Sequence, residues 1–564
     1  MVTALKNRSL ILASLLYLQS YFSFTQAQVV ISDAPAWIDK ISVDSETEIK
    51  EDTYGYYYLL VDRQENTSRS SYYGHYAFKV LSNNGIESMS DISVSYDPSY
   101  QNLQFHSAQI IRNGETINKL KKSEIKTFQR ESGMDRHLYD GRLSAVINLS
   151  DVRVGDIVEY SYSINGYNPV NEGHFFDKIY FNYGLPTGQI YQKLMIPESR
   201  NLEFKYRNDA PKANEEVRNG NKIYTWDIKN IPALITDSNY PAWHDPYEHV
   251  MITDFESWEE VTNWALKNYT LTASEKARLK EKINGQFDVN DKQKAVEDII
   301  RFVQDEVRYL GFESGLNSYK PHSPELIMDQ RFGDCKDKSF LLSSALQLIG
   351  VESHPVLVNS SINKDIKEQL PSPSAFDHCI VKIKYDSKTF FIDPTINNQG
   401  GALGNYYFPD YHSGLVIEKG SAYLEKFPIP VKSKTEVIEE FFIEEIGGSA
   451  TLKISTTYHG ASADSQRGYF SSSGLESIKK NYETFYSNLY PDISSLSDIT
   501  FEDQREENKF IVKEEYYIET FWNPYSEDEG IIYAEVYPLS LEDYVNVTQS
   551  SRRDAPYAIP NRLN

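Results

Sequence analysis

The sequence predicts a multidomain α+β protein, with an N-terminal antiparallel β-sandwich, a central α+β core and a C-terminal β-rich domain. Three observations carry that prediction. The 564 residues exceed what one hydrophobic core usually supports. Between about Val29 and Lys229, short segments of alternating polar and apolar residues follow one another with few helical windows. From Phe340 onward a dense apolar stripe at helical spacing gives way to a hairpin.

Residues 1–27 predict a signal peptide. Lys6 and Arg8 give a basic start, SLILASLLYLQSYFSF is apolar but short, and small residues end the stretch at Ala27. The chain is therefore expected to be exported, periplasmic or extracellular, with no stable membrane insertion after signal removal. Residues 28–230 form the first predicted domain. YYGHYAFKVLS, ISVSYD, LQFHSAQIIRNGETI, SAVINLS, DIVEYSYSIN, FFDKIYFNY, QIYQKLMIP, LEFKYRN and KIYTWDI read as strands. Asn84-Gly85, Asn113-Gly114 and Asn219-Gly220 predict hairpin turns. The histidines His75, His106, His137 and His174 are scattered and lack metal-ligand spacing. The 42 tyrosines suit solvent-facing strands, as sheet formers do, with a surface for glycan or peptide as the lesser reading.

Residues 231–425 form the predicted core, entered through a Pro-rich linker. His244 and His249 are not spaced as a helical zinc pair, and the stretch from Asp288 lacks the Gly and Glu of a calcium loop, so it reads as a helix cap. No metal or cofactor is expected. An amphipathic helix is predicted from about Asp291 to Tyr309, running into a Gly- and Pro-rich loop, with His322 on the surface.

The chemistry-bearing stretch begins at Arg331. Phe340, Leu341, Leu342, Ala345, Leu346, Leu348 and Ile349 predict a helix buried along one side and ended by Gly350. Gly333 permits a tight turn, Asp334 stands where an N-cap belongs and Asp337 lies in the first turn, so Cys335 should open the helix. Free backbone N–H groups at such a position favour a nucleophilic thiolate and can receive an oxyanion. HCIVKIKY, a DSK turn and TFFIDPT predict a hairpin whose open end brings His378 near Asp393. A thiol, an imidazole and a carboxylate in that arrangement form a Cys, His, Asp triad for acyl transfer. The blander roles are a small core cysteine, a structural histidine and a turn aspartate. Cys335 and Cys379 are the only cysteines, and strand alternation turns Cys379 away from His378, so no bridge is expected.

RFGDCKDKSFLLSSALQLIGVESHPVLV, followed by FDHCIVKI and FFIDPT, resembles the transglutaminase-like superfamily. It is most similar to a secreted bacterial subgroup in which a β-rich domain of unknown function precedes the core. The resemblance implies a papain-like fold for the core, Cys335 as nucleophile, His378 as base and Asp393 as orienting carboxylate. It also implies an upstream aromatic or polar side chain at the oxyanion site, for which Tyr309 is the candidate, beside the alternative of an aromatic filling the core. Two positions depart from the cross-linking enzymes: Asp334 stands in place of Gln, and Cys379 in place of a small residue.

After Pro394 an aromatic loop suits a cleft wall or a flap. Residues 426–564 predict the last domain, with strands in EVIEEFFIEE, ATLKISTTYHG, KFIVKEEYYIE and IIYAEVYP around one helix near Leu475 to Leu489. The chain ends earlier than the resemblance implies, which predicts a last sheet short of an edge. A net charge of −24 argues against nucleic acid or an acidic membrane surface as partner. The expected activity is secreted, cysteine-dependent acyl transfer on amide bonds of a peptide, protein or cell-envelope substrate. Hydrolysis ranks ahead of transamidation. The alternative is a catalytically silent scaffold that binds an envelope peptide or glycan.

Overall fold

A computed structural model describes residues 29–46, 49, 54–131, 133–428, 433–525, 530–537 and 553–558. The stretch read as a signal peptide lies outside the described residues. Among those described, no helix is long and apolar enough to cross a membrane. The protein is multidomain and rich in strand, and it divides into two units. The first takes the described residues up to Ile235 with Pro246–Phe255 and Phe312–Tyr319. The second takes Thr236–Asp245, Glu256–Gly311 and the described residues from Lys320 on.

A nine-stranded sheet dominates the first unit. Its strands are β1 (Val30–Ile31), β2 (Tyr56–Asn66), β3 (Ser71–Val80), β4 (Asn102–Arg112), β5 (Glu115–Asn118), β6 (Ile157–Asn165), β7 (Thr187–Pro197), β8 (Asn214–Arg218) and β9 (Asn221–Ile231). The order is β1-β4-β6-β3-β2-β7-β9-β8, with β5 paired to β4. The expected antiparallel arrangement holds except at two pairs: β7 runs parallel to β2, and β1 parallel to β4. Both exceptions join strands distant in sequence, where no short turn imposes antiparallel pairing. Smaller three-stranded sheets flank it, one of Asp91–Tyr96, Ile125–Gln129 and Leu143–Asn148, the other of Phe176–Tyr180, Glu203–Arg207 and His249–Thr253.

Asn113-Gly114 and Asn219-Gly220 form two-residue turns with positive φ at both positions, joining β4 to β5 and β8 to β9. Asn84-Gly85 does not. It lies inside α1 (Asn83–Met89), a short helix that begins after the extended Ser82. Gly85 serves close backbone approach there, because a Cβ would sit 1.9 Å from the Gly55 carbonyl oxygen.

The second unit holds α2 (Trp258–Asn268), α3 (Ala273–Gln286), α4 (Lys292–Arg301), α5 (Pro324–Gln330) and α6 (Cys335–Leu348) beside a five-stranded sheet. The strands are β10 (Glu352–Val358), β11 (His378–Tyr385), β12 (Lys388–Ile392), β13 (Ser413–Val416) and β14 (Glu425–Lys426), ordered β12-β11-β10-β13-β14. Leu341, Leu342, Ala345 and Leu346 of α6 pack with Ile299 and Ile300 of α4 and with Val381, Ile383 and Ile392 of the hairpin. The expected one-sided burial of α6 is therefore too little: every residue from Cys335 to Leu346 is buried. Its polar residues find partners inside, as when Ser339 Oγ donates to the Cys379 carbonyl at 2.8 Å.

The helix predicted to reach Tyr309 ends sooner. After Arg301 a single π turn, Phe302–Glu306, leads to extended chain at Arg308–Tyr309, which pairs with Phe332–Gly333. The terminal module has β15 (Lys434–Ile443), β16 (Ala450–His459), β17 (Ile493–Ser495), β18 (Thr500–Gln504) and β19 (Lys509–Ile518), ordered β15-β16-β19-β17 with β18 also on β19. Among its described residues two helices accompany it where one was expected: α7 (Ala461–Ser472) as well as α8 (Leu475–Ser487).

Gly85→Ala is expected to destabilise the first unit by about 1–3 kcal/mol, since the methyl must push against backbone rather than a movable side chain. Chemical unfolding of the variant against the parent chain measures the loss.

Candidate functional site

Asp334 caps α6. Its Oδ1 accepts from the Asp337 N–H at 3.1 Å, and Asp337 Oδ2 accepts in return from the Asp334 N–H at 3.2 Å. Cys335 is consequently the first residue of the helix, among the backbone donors that have no partner within it. Gly333 acts through close packing, because a Cβ there would meet Asp337 Cβ at 2.7 Å. Asp337 also accepts from the His322 N–H at 2.7 Å, and its carboxylate raises the His322 imidazole above its ordinary value. His322, expected on the surface, is half-buried by this attachment.

The hairpin register pairs Val381 with Ile392. Continued by one residue, it sets Asp393 opposite Ile380, on the strand face that Ile380 shares with His378. His378 Nε2 meets Asp393 Oδ2 at 2.9 Å. The Cys335 side chain lies near enough to the imidazole to be one of the influences that raise it. Cys335, His378 and Asp393 thus stand together. Cys335 is 8% exposed and Asp393 is 3% exposed.

Burial opposes charge on His378, yet the Asp393 carboxylate and the Cys335 sulfur outweigh it and hold the imidazole well above its ordinary value. Burial likewise works against the Asp393 anion. His378, Thr395 and Tyr411 overcome it and hold the carboxyl at about 2. Thr395 donates to Asp393 Oδ1 from its N–H at 2.8 Å and its Oγ1 at 2.6 Å, and Tyr411 OH donates to Oδ2 at 2.6 Å.

Tyr309 lies beside Gly333, its register partner, two residues ahead of Cys335 and half-buried. Several neighbours had no signal in the sequence. Tyr411 arrives from the aromatic loop ahead of β13. Gln304, in the π turn, donates to the Asp393 carbonyl at 3.1 Å and to Gln399 Oε1 at 2.8 Å. Lys338 donates to the carbonyls of Val307 at 2.6 Å and Gln304 at 3.3 Å, and burial brings its amine down to about 8. Thr395 was more accessible to inspection, since Asp followed two residues later by an N–H donor is a common turn.

Cys335 and Cys379 are both free and buried. Tyr269 OH donates to Cys379 Sγ at 3.8 Å, and burial pushes the Cys379 thiol up to about 12. His244 and His249 remain apart in role: His249 Nδ1 meets the Tyr247 carbonyl at 2.8 Å, and His244 packs its ring against Tyr240 and Trp243. Among the described residues, Glu352, His354 and Glu418 have ligand-type atoms within 4.8 Å of one another. Glu352 is already ion-paired with Lys384.

Residues 66–235 match a family described as a domain of unknown function, DUF3857. No curated protein matches the chain. Among solved structures, it is similar to a provisionally assigned protease from Parabacteroides distasonis, with a TM-score of 0.53 and 13% identity over 83% of this chain and 94% of that one. A substrate-bound M1 zinc metallopeptidase variant from Deinococcus radiodurans superposes only at TM-score 0.18, with 12% identity over 36% of this chain and 42% of that one, and carries no argument.

The depressed Asp393 carboxyl contributes stability that is complete above the ordinary carboxylate value and is lost as pH falls toward about 2. Tyr411→Phe removes one of the donors that hold it there. The variant is expected to lose about 1.5–3 kcal/mol near neutral pH and to begin acid unfolding at a higher pH, which urea unfolding across pH 2–7 measures.

Proposed function

We propose that the chain is a cysteine-dependent acyl-transfer enzyme of transglutaminase-like kind, acting on amide bonds in exported peptide, protein or cell-envelope material. The observation that carries this reading is Cys335 at the first turn of α6, beside an imidazole that its side chain helps to raise and whose Nε2 is held by Asp393 at 2.9 Å. The likeness to a provisionally assigned protease agrees with peptide-bond processing in general and supplies no residue roles.

In the proposed reaction, the Cys335 thiol gives its proton to His378 as Sγ attacks the amide carbonyl carbon and the carbonyl electrons move to oxygen. The N–H of Cys335 faces that oxyanion, with Tyr309 as the candidate second donor; one such donor is worth about 3 kcal/mol. The tetrahedral adduct collapses, the C–N bond breaks, and His378 Nδ1 delivers a proton to the leaving amine. The acyl group remains as a thioester on Cys335. Water then attacks that thioester as His378 takes its proton; the adduct collapses, the C–S bond breaks, and His378 returns the proton to sulfur as the acid is released. An amine in place of water gives transamidation by the same steps. Asp393 keeps Nδ1 directed at sulfur by holding Nε2.

The wider reading includes removal of residues 1–27, export, and a division into a β-sandwich over 28–230, a papain-like core over 231–425 and a β-rich domain over 426–564. The scaffold alternative uses the same fold with a silent triad. Cys335→Ala separates them, because turnover disappears under the enzymatic reading while folding survives.

Iodoacetamide is expected to label Cys335 at pH 7 faster than it labels a free-peptide thiol, and His378→Ala should remove the excess rate. Mass spectrometry after incubation with a peptide or cell-wall extract is expected to find an acyl adduct on Cys335. Equal labelling rates, with no adduct, would leave the scaffold.

A further inference from the structure

We infer that the first unit binds carbohydrate on the face of its nine-stranded sheet, in a cavity where Tyr72 and Phe176 offer ring surfaces and Glu65, Asp177, Arg63 and Gln192 offer hydrogen bonds to hydroxyls. This inference does not rest on the proposed chemistry at Cys335.

The cavity measures about 280 Å³ and adjoins a second of about 320 Å³, with Glu65, Phe175 and Phe176 lining both. Together they reach the range of small-molecule sites, roughly 300–1,000 Å³. The sheet builds the wall by register. Gln192 pairs with Arg63 and Leu194 with Glu65 across the parallel β2–β7 pair, while Glu65 pairs with Tyr72 across β2–β3, so these side chains share one face. Opposite Arg63 stands Gly74, where a Cβ would come within 3.0 Å of the Tyr76 ring and 3.1 Å of the Tyr162 ring. That gap lets the tyrosines lie over the sheet, and Arg63 Nε donates to Tyr76 OH at 3.1 Å.

Three features of the wall call for a ligand with mixed donors and acceptors. Gln192 is 3% exposed, and its Nε2 has no hydrogen-bond partner. A desolvated donor on a residue that lines the cavity is satisfied when its side chain turns toward an acceptor that enters. Glu65 and Asp177 set two carboxyls on the same cavity. Burial and then the neighbouring Asp177 push Glu65 up to about 8, although Tyr167 OH donates to it. At neutral pH that carboxyl therefore retains a proton it can donate. A sugar hydroxyl both donates and accepts, which fits an orphan amide donor, a protonated acid and a second carboxyl together.

Competing ligands fit less well. A bare cation meets the Arg63 guanidinium on the same wall. A peptide cannot add itself as a strand to β2, β3 or β7, interior strands whose backbone groups are already paired; the Phe176–Tyr180 strand is paired on one side only, and the trialanine control reports on that mode.

The test is calorimetric titration and saturation-transfer NMR of the full chain with cellotriose, maltotriose, xylotriose and chitotriose, with trialanine as the peptide control. At least one trisaccharide is expected to bind. Gln192→Leu and Asp177→Ala should each weaken it tenfold or more without changing the melting temperature or the labelling rate of Cys335. The inference is overturned if none of the four binds at millimolar concentration, if both variants bind like the parent, or if trialanine alone binds and loses affinity in the variants. Should either variant melt early, Gln192→Glu replaces it: it keeps the size and removes the donor, and unchanged sugar affinity there also overturns the inference.

Discussion

A carboxylate held out of water at Asp393 is the constraint on which the core depends. Removing such an ion from solvent costs several kcal/mol unless its lone pairs are met. Here they are met by His378 at the start of β11, by both donors of Thr395 after β12, and by Tyr411 ahead of β13. No two of these three suppliers lie on the same element. Satisfying one anion therefore fixes the hairpin register, the turn that follows it and the return of the aromatic loop in a single arrangement. Gln304 extends the arrangement to the π turn by binding the Asp393 carbonyl. Lys338 sits under the same region, its amine directed at backbone carbonyls, and the charge of Asp393 favours keeping it protonated against burial.

What could be read from the sequence here were features with a local cause. Asp334 and Asp337 mark a helix start because a cap must be followed three residues later by its partner, and that spacing is visible without a fold. The HCIVKIKY alternation and the following turn set the hairpin, and with it the approach of His378 to Asp393. Tyr411 had no such mark, being one of 42 tyrosines in an irregular loop whose path only tertiary packing decides. The polar residues of α6 misled for the same reason. Lys336, Lys338, Ser339 and Ser343 look like a solvent face by period, yet a sheet on one side and helices on the other enclose them all. Asn84-Gly85 carried a hairpin's composition but was used for a helix start pressed against Gly55, where absence of a side chain mattered more than a positive φ.

The terminal module bears on the same core through backbone rather than through the triad. Arg467, itself 6% exposed, donates to the Asn398 carbonyl at 2.9 Å, and Arg505 donates to the Gln399 carbonyl at 3.2 Å. Asp464 accepts from the Gly400 N–H at 2.8 Å, and Gly400 has no room for a Cβ beside Arg467. The segment that follows Asp393 is thus gripped at three successive residues by side chains more than sixty positions away. Gln399, held in this grip, is also the acceptor for Gln304. A module that sequence alone would treat as an appendage is in this way part of what holds the Asp393 end of the hairpin in place.

Resemblance of folds at 13% identity leaves the chemistry to be decided by side chains. The residue that most separates this site from a cross-linking one is Asp334, an acid immediately before Cys335, the proposed nucleophile. A free carboxylate there would repel negative charge gathering on sulfur. Asp334 is not free: Oδ1 caps α6, and Oδ2 is bonded to the buried Lys336 ammonium. Burial, with the Asp337 charge beside it, moves the carboxyl up to about 6 even though Lys336 and the Asp337 N–H pull it down. The pair brings no net charge to the first turn, so the backbone donors there keep their field over Cys335. The acid that departs from the resemblance is accommodated by a lysine two residues later, and the helix start can serve a thiol nucleophile with Asp in that position.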